Sequence, residues 1–159
     1  MLTESEKLDT LTQLVFELNR VKDLDILMEH ILSQARRFVN GDSGSIYIAE
    51  DHTLQFTYTQ NDTLQKRLHR GEKLIYSTFT LPINENSLAG YVAVTGRPLN
   101  LPDVYDIDPS KPYQFGKDYD DASNYKSQSV LTIPLKSANE NLLGVLQIIN
   151  AQDLSLIHI

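Results

Sequence analysis

The stretch Ser43-Gly44-Ser45-Ile46-Tyr47-Ile48-Ala49, followed after a short polar turn at Glu50-Asp51-His52 by Thr53-Leu54-Gln55-Phe56-Thr57-Tyr58-Thr59-Gln60, is where the chain changes its period. Both runs are rich in β-branched and aromatic residues, and together they predict a β-hairpin. In the second run Leu54, Phe56 and Tyr58 fall on one face and Gln55, Thr57 and Thr59 on the other, the alternation of a sheet that is wet on one side.

Upstream of the hairpin the period is helical. Leu8, Leu11, Val15 and Leu18 recur at three-four-three spacing, one stripe of an amphipathic helix over about residues 4–20. That stripe either packs on the domain's own core or pairs with a second copy as a dimer and signalling helix. Asp23 can cap a second helix carrying Leu24, Leu27, Met28, Ile31, Leu32, Ala35 and Phe38, with Arg36 and Arg37 at the negative end of its dipole and Asn40-Gly41 as a left-handed stop.

Downstream, residues 61–73 are polar and read as loop, and Phe79 to Ile83 as a third strand. Asn86 or Ser87 caps a short helix from Leu88 to Thr95, which Gly96 ends and Pro98 keeps from resuming. Leu99 to Leu101 is a strand stub. Pro102 to Tyr125 has three prolines, six aspartates and five aromatics without a period, and a long irregular segment of this kind usually carries function. Ser129–Leu135 and Leu142–Asn150 form a second hairpin of central, apolar strands across the turn Ser137 to Asn141. This order predicts an α+β layer architecture around a mainly antiparallel sheet.

The 159 residues suit one domain, and 41% hydrophobic with 22% charged residues is ordinary globular usage. No apolar run approaches the ~18 residues of a spanning helix, and the N-terminus does not read as a signal peptide, so the expected compartment is the cytoplasm, with no membrane partner. The absence of cysteine excludes disulfides, thiolate nucleophiles, zinc-thiolate clusters and thioether-linked chromophores. A net charge of −7 with scattered Lys and Arg argues against nucleic acid as a partner. His30, His52, His69 and His158 are too dispersed for a local metal box, the aspartates lack EF-hand order, and neither a Gly-x-Ser-x-Gly elbow nor a phosphate loop is present. The chain is expected not to be an enzyme, and no cofactor can be assigned.

Four blocks in order carry a family resemblance: Asp42-Ser43-Gly44-Ser45-Ile46-Tyr47, Ser87-Leu88-Ala89-Gly90-Tyr91-Val92, Gly96-Arg97-Pro98-Leu99-Asn100-Leu101-Pro102-Asp103-Val104 and Gly144-Val145-Leu146-Gln147-Ile148-Ile149-Asn150. They resemble the successive signature blocks of GAF domains, over residues 3–153. The resemblance implies a GAF/PAS-like fold, a six-stranded antiparallel sheet with terminal helices on one face and a ligand pocket on the other. It implies a regulatory sensor of a multidomain signalling protein, binding a small molecule such as a cyclic nucleotide; the stripe of Leu8, Leu11, Val15 and Leu18 adds the expectation of a homodimer through the terminal helices. Gln60-Asn61-Asp62 and the Tyr105 to Tyr125 stretch are similar to bacterial GAF domains found ahead of HD-GYP phosphohydrolase or nucleotide cyclase domains. Members that bind cyclic nucleotides often carry Asn-Lys after the last strand; Asn150 matches the first, whereas Ala151 replaces the second. Bilin-binding members and GAF-fold methionine sulfoxide reductases use a cysteine that is missing here.

Leu154-Ser155-Leu156-Ile157-His158-Ile159 resembles an in-frame translation of a sequencing-library transposase adapter. The domain is therefore expected to cover residues 1–153, with 154–159 a non-native tail and a following helix and effector domain missing. A version extended past Asp153 is expected to be more stable.

The candidate ligand-binding residues are Tyr47, Phe79, Ser87, Leu88, Tyr91, Val104, Tyr105, Phe115, Tyr119, Tyr125, Thr132 and Gln147; the candidate dimer residues are Leu8, Leu11, Val15 and Leu18. Tyrosines stack on a planar ligand while their hydroxyls give directed hydrogen bonds; alternatively these aromatics pin a long loop to the sheet. Ala89-Gly90 permits close approach of a ligand to the helix backbone, and the helix start can hold a phosphate on its N–H groups. Gln147, the odd polar residue in an apolar strand, either lines the pocket with Thr132 or bonds a loop on the opposite face.

Overall fold

The computed structural model describes residues 3–74 and 78–152, apart from the side chains of Leu18 and Val21. The expected tail at 154–159 lies outside the described residues. By its internal contacts the chain divides into residues 1–31 and residues 32–159.

From Glu4 onward the first unit is helical. It belongs to helix α1, Glu4–Phe38, which continues unbroken where the sequence predicted two helices. Asp23 is inside the helix rather than at a cap. The reason is local: between Leu18 and Leu24 stand Asn19, Arg20, Val21, Lys22 and Asp23, with neither glycine nor proline, and each of these residues costs well under ~1 kcal/mol in a helix interior. Thr3 and Glu6 form a reciprocal capping box, Thr3 N donating to Glu6 Oε2 at 2.7 Å and Glu6 N to Thr3 Oγ1 at 3.2 Å.

The second unit is built on one six-stranded sheet. Its strands are β1 (Gly41–Glu50), β2 (Thr53–Asn61), β3 (Thr80–Pro82), β4 (Leu99–Leu101), β5 (Val130–Lys136) and β6 (Leu142–Ala151), in spatial order β3-β2-β1-β6-β5-β4, and every neighbouring pair is antiparallel. Among its described residues there are also three short helices, α2 (Asp62–Lys66), α3 (Leu88–Thr95) and α4 (Asp118–Ser123). The α+β expectation holds, with α2 inside the segment predicted as loop and α4 inside the segment predicted as irregular. Helix α2 exists because Asn61 caps it, its Oδ1 accepting from Leu64 N at 2.8 Å, while Leu64 is buried.

Directly paired residues of an antiparallel ladder share a face. Gly44 pairs with Ile148 and Ile46 with Leu146, and the last turns of α1 cover this side: a Cβ on Gly44 would meet Leu32 and Arg36. Arg36 ties those turns to the sheet, donating to the carbonyls of Gly41 and Asp42 and to Gln60 Oε1, and pairing with Asp62 at 2.7 Å. On the other face Ser43, Ser45 and Tyr47 pair with Ile149, Gln147 and Val145. A bulge opposite Ile46/Tyr47 corrects the predicted alternation in β2: Tyr58 pairs with Ile46 and Phe56 with Tyr47, so Thr57 is the extra residue and Tyr58 faces away from Leu54 and Phe56.

Helix α3 lies over this second face. Ser87 Oγ caps it by accepting from Gly90 N at 3.0 Å, and Gly96 ends it at φ 66. Val92 buries itself completely among Tyr47, Leu54, Phe56, Ala89 and Val145, while Leu88 joins Val104, Tyr113 and Val130 in a neighbouring cluster. A fully buried aliphatic side chain of this kind contributes about 1.5–3 kcal/mol.

Candidate ligand-binding cavity

The two clusters leave a gap between them. The central strands present Ser43 and Ser45 where larger residues would fill the space, and the result is a cavity of about 540 Å³ on the face opposite α1's last turns. Its floor is Ser43, Ser45 and Tyr47 of β1 with Gln147 and Ile149 of β6; Ser87, Leu88 and Ala89 at the start of α3 form one side. The segment Gln114 to Asp120, with Ser127, closes another side, and Phe56 and Phe79 supply an aromatic wall. This volume fits an ordinary small-molecule ligand.

The wall segment is fastened at both ends. Gln114 N donates to the Asn86 carbonyl at 2.9 Å and Gln114 bridges Ser87, so the start of α3 carries the loop. Further along, Asp120 is buried. Its Oδ2 accepts from the Tyr105 hydroxyl at 2.6 Å and from Ser127 N at 2.7 Å, and its Oδ1 accepts from Ser127 Oγ at 2.8 Å. The bond to Asp120 is the main reason the Tyr105 phenol is pushed up to about 12. Phe56 and Phe79 stack with centroids 4.6 Å apart at 15°, and Tyr47 meets Phe56 edge-on at 5.4 Å.

Across the floor runs a short polar chain. The Tyr47 hydroxyl donates to Gln147 Oε1 at 3.3 Å, and Gln147 Nε2 donates to Thr132 Oγ1 at 3.3 Å. Burial, with a smaller contribution from Tyr119, raises the Tyr47 phenol well above its ordinary value, so it stays protonated and able to donate. Gln147 thus belongs to the cavity side of the sheet.

Of the residues the sequence singled out, Tyr47, Phe79, Ser87, Leu88, Phe115, Tyr119 and Gln147 stand on the cavity wall; Tyr91, Val104, Tyr105, Tyr125 and Thr132 do not. Tyr91 packs edge-on against Tyr113 at 4.7 Å, and Val104 is buried in the same cluster. Thr132 is fully buried behind Gln147. Tyr105 holds Asp120 from outside the cavity and rests against Phe115 at 5.4 Å. Tyr125 is a latch: its hydroxyl donates to Asp42 Oδ2 and accepts from Asn150 Nδ2, both at 2.9 Å. Gly90 is not small for a ligand's sake. A Cβ there would overlap the Asn84 carbonyl oxygen and Ser87 Oγ and crowd the Pro82 carbonyl at 3.1 Å, so the missing side chain lets α3 sit against the end of β3. The sequence reading missed Ser43, Ser45, Asp120 and Ser127. The signal available was the pair of serines alternating into a central strand.

Leu8, Leu11 and Val15 are all exposed on α1 by half or more; the side chain of Leu18 lies outside the described residues. No helix among the described residues is long and apolar enough to cross a membrane.

A relative of known activity is the dual 3',5'-cyclic-AMP and -GMP phosphodiesterase 11 of Drosophila melanogaster, 25% identical over 157 residues, covering 87% of this chain. The chain spans 10% of that protein's length. Among solved structures, it is similar to the A. aeolicus nlh2 GAF domain in an inactive state, with TM-score 0.57 and 17% identity over 82% of this chain and 70% of the other. It is similar also to the GAF domain of a phosphoenolpyruvate-protein phosphotransferase from Coxiella burnetii, with TM-score 0.57 and 22% identity over 91% and 77%. These solved structures share the fold. A family model described as GAF domain matches residues 23–157. The chain therefore belongs to the GAF domain family, a family of regulatory small-molecule-sensing domains.

Proposed function

We propose that this chain is the ligand-binding sensor of a larger signalling protein and that its ligand is a small ring-bearing molecule held in the cavity between sheet and α3. The observation that carries this reading is the combination, in one 540 Å³ cavity, of a stacked Phe56/Phe79 wall with the hydrogen-bonding floor of Tyr47 and Gln147. A flat ring fits the wall, and the floor and Ser45 read its edge. The phosphodiesterase relative makes cyclic nucleotides the first ligands to try, and control of a C-terminal effector the role to expect.

A route out of the cavity supports the same reading. The segment that forms the wall runs on into Tyr125, and Tyr125 is bonded to Asp42 at the start of β1 and to Asn150 at the end of β6. A ligand that seats on the wall in one arrangement of this segment and not in another biases the end of the last strand. Its leverage equals its difference in affinity for the two arrangements.

The test is a thermal-shift screen of the purified chain against cyclic nucleotides, cyclic dinucleotides, purines and haem. A ligand at one hundred times its dissociation constant adds about 2.7 kcal/mol, a rise of several degrees. The expected result is a dose-dependent rise that Tyr119→Ala abolishes; a folded sample silent to all of them contradicts the proposal.

A second reading is a dimerisation module without a ligand, favoured by the exposed Leu8, Leu11 and Val15 on one stripe of α1. It predicts a dimer by light scattering that Leu11→Glu converts to monomer. A wild-type monomer at concentrations of tens of micromolar rules it out.

A further inference from the structure

We propose that the cavity selects its ligand by charge, taking a planar molecule that is cationic or rich in N–H donors and discriminating against anions, with Asp120 as the specificity-determining side chain. This rests on the reading of the cavity as a ligand site.

Two carboxylates, Asp118 and Asp120, belong to the cavity wall, and among the described lining residues there is no lysine or arginine. Of the cations nearby, Lys117 and Lys126 are placed over the ring of Tyr105, at 5.3 and 5.2 Å, and Arg67 donates to the carbonyls of Ser123 and Asn124; none of the three is on the wall. Asp120 is only 5% exposed and accepts three hydrogen bonds from two residues, Tyr105 and Ser127. Oδ2 takes two hydrogen bonds and Oδ1 takes one, so Oδ1 keeps a lone pair for a further donor. The other wall answers the same chemistry, since the π-face of an aromatic ring such as Phe79 attracts a cation-bearing ring. The remaining polar groups, the hydroxyls of Ser43 and Ser45 and the Gln147 amide, are neutral and adaptable.

At a separation of about 6 Å and an effective dielectric of about 20, a single buried carboxylate shifts the affinity of a unit charge by roughly 100-fold. Screening at the cavity mouth brings this to roughly 10- to 100-fold. On this view the cavity favours the ring of a nucleotide and not its phosphate, so among the ligands of the thermal-shift screen neutral purines bind more tightly than the cyclic nucleotides that the phosphodiesterase relative suggests.

Three probes of nearly one shape separate charge from fit: benzamidine, benzamide and benzoate, titrated into the full chain and followed by amide NMR shifts. The expected order is benzamidine tighter than benzamide and benzamide tighter than benzoate, at least ~10-fold from first to last. That gap shrinks in Asp120→Asn and in Asp118→Asn; the second variant alters an exposed residue and guards against misfolding of the first. Benzoate binding as tightly as benzamidine, or a gap unchanged in both variants, overturns the charge proposal and leaves the cavity reading intact. If none of the three perturbs the cavity amides at millimolar concentration, the cavity reading falls and the charge proposal with it.

Discussion

Tyr125 is buried, yet its hydroxyl has a partner on each side: it donates to Asp42 Oδ2 and accepts from Asn150 Nδ2. Asn150 adopts φ 56, a conformation asparagine tolerates, and also bonds the Lys126 carbonyl and Gln128 N, so one side chain closes the wall segment onto the last strand. Tyr125→Phe removes both hydroxyl bonds and leaves Asp42 with Thr63 alone, so it should cost about 1–3 kcal/mol, measured by urea unfolding. The same group predicts an alkaline limit. Tyr47 and Tyr125 are raised chiefly by burial, and Tyr105, raised chiefly by its bond to Asp120, goes to about 12. A folded chain that holds phenolic protons more tightly than the unfolded chain has their full stabilisation below pH 10.0, the ordinary tyrosine value, and loses it as pH climbs through about 12. Stability measured against pH should therefore be level as pH approaches 10 and fall above it, with a shallower fall in Tyr125→Phe; a variant curve parallel to wild type contradicts this assignment. Sequence alone placed Tyr125 with the ligand residues because five aromatics in an aperiodic loop look alike. Only tertiary structure separates a ring on a cavity wall (Tyr119), a ring packed in a core (Tyr113) and a hydroxyl serving as a latch (Tyr125).

Among the elements, α3 was the most completely readable. Its cap Ser87, its span and its left-handed stop at Gly96 are all encoded within a dozen residues, because capping chemistry is local. Helix α1 was misread for the converse reason: Asp23 has capping chemistry, but a helix already nucleated upstream propagates through it. The bulge in β2 left no local mark either, since Thr57 resembles its neighbours and the slip is set by pairing with β1. Two glycines give a contrast at this scale. Gly90→Ala drives a methyl into the Asn84 carbonyl and against that of Pro82 and should destabilise by about 1–3 kcal/mol, whereas Gly116→Ala, with open space around its Cβ, should stay within about 0.5 kcal/mol. Equal denaturant midpoints for the two variants would refute the close docking of α3 on β3.

At the scale of the sheet-bearing unit, the hairpins β1–β2 and β5–β6 were predictable from strand order and hydrophobic periodicity, whereas the central pairing of β1 with β6 joins the first and last strands and leaves no local mark in the sequence. The cavity was predictable only in part. An absence of volume has no periodicity, and it arises where Ser43 and Ser45 of one strand, Ser127 of a loop and Gly116 of another segment converge, residues far apart in sequence. The account stands on that space being a binding site. The most direct test fills it: Ser45→Leu projects a larger apolar side chain from the floor into the cavity. Calorimetric titration of wild type and Ser45→Leu with whichever ring-bearing ligand gives a thermal shift should show saturable one-to-one binding lost or weakened at least ~10-fold in the variant, while the variant's own unfolding temperature holds or rises. Undiminished binding to a folded Ser45→Leu would place the ligand elsewhere and contradict the account.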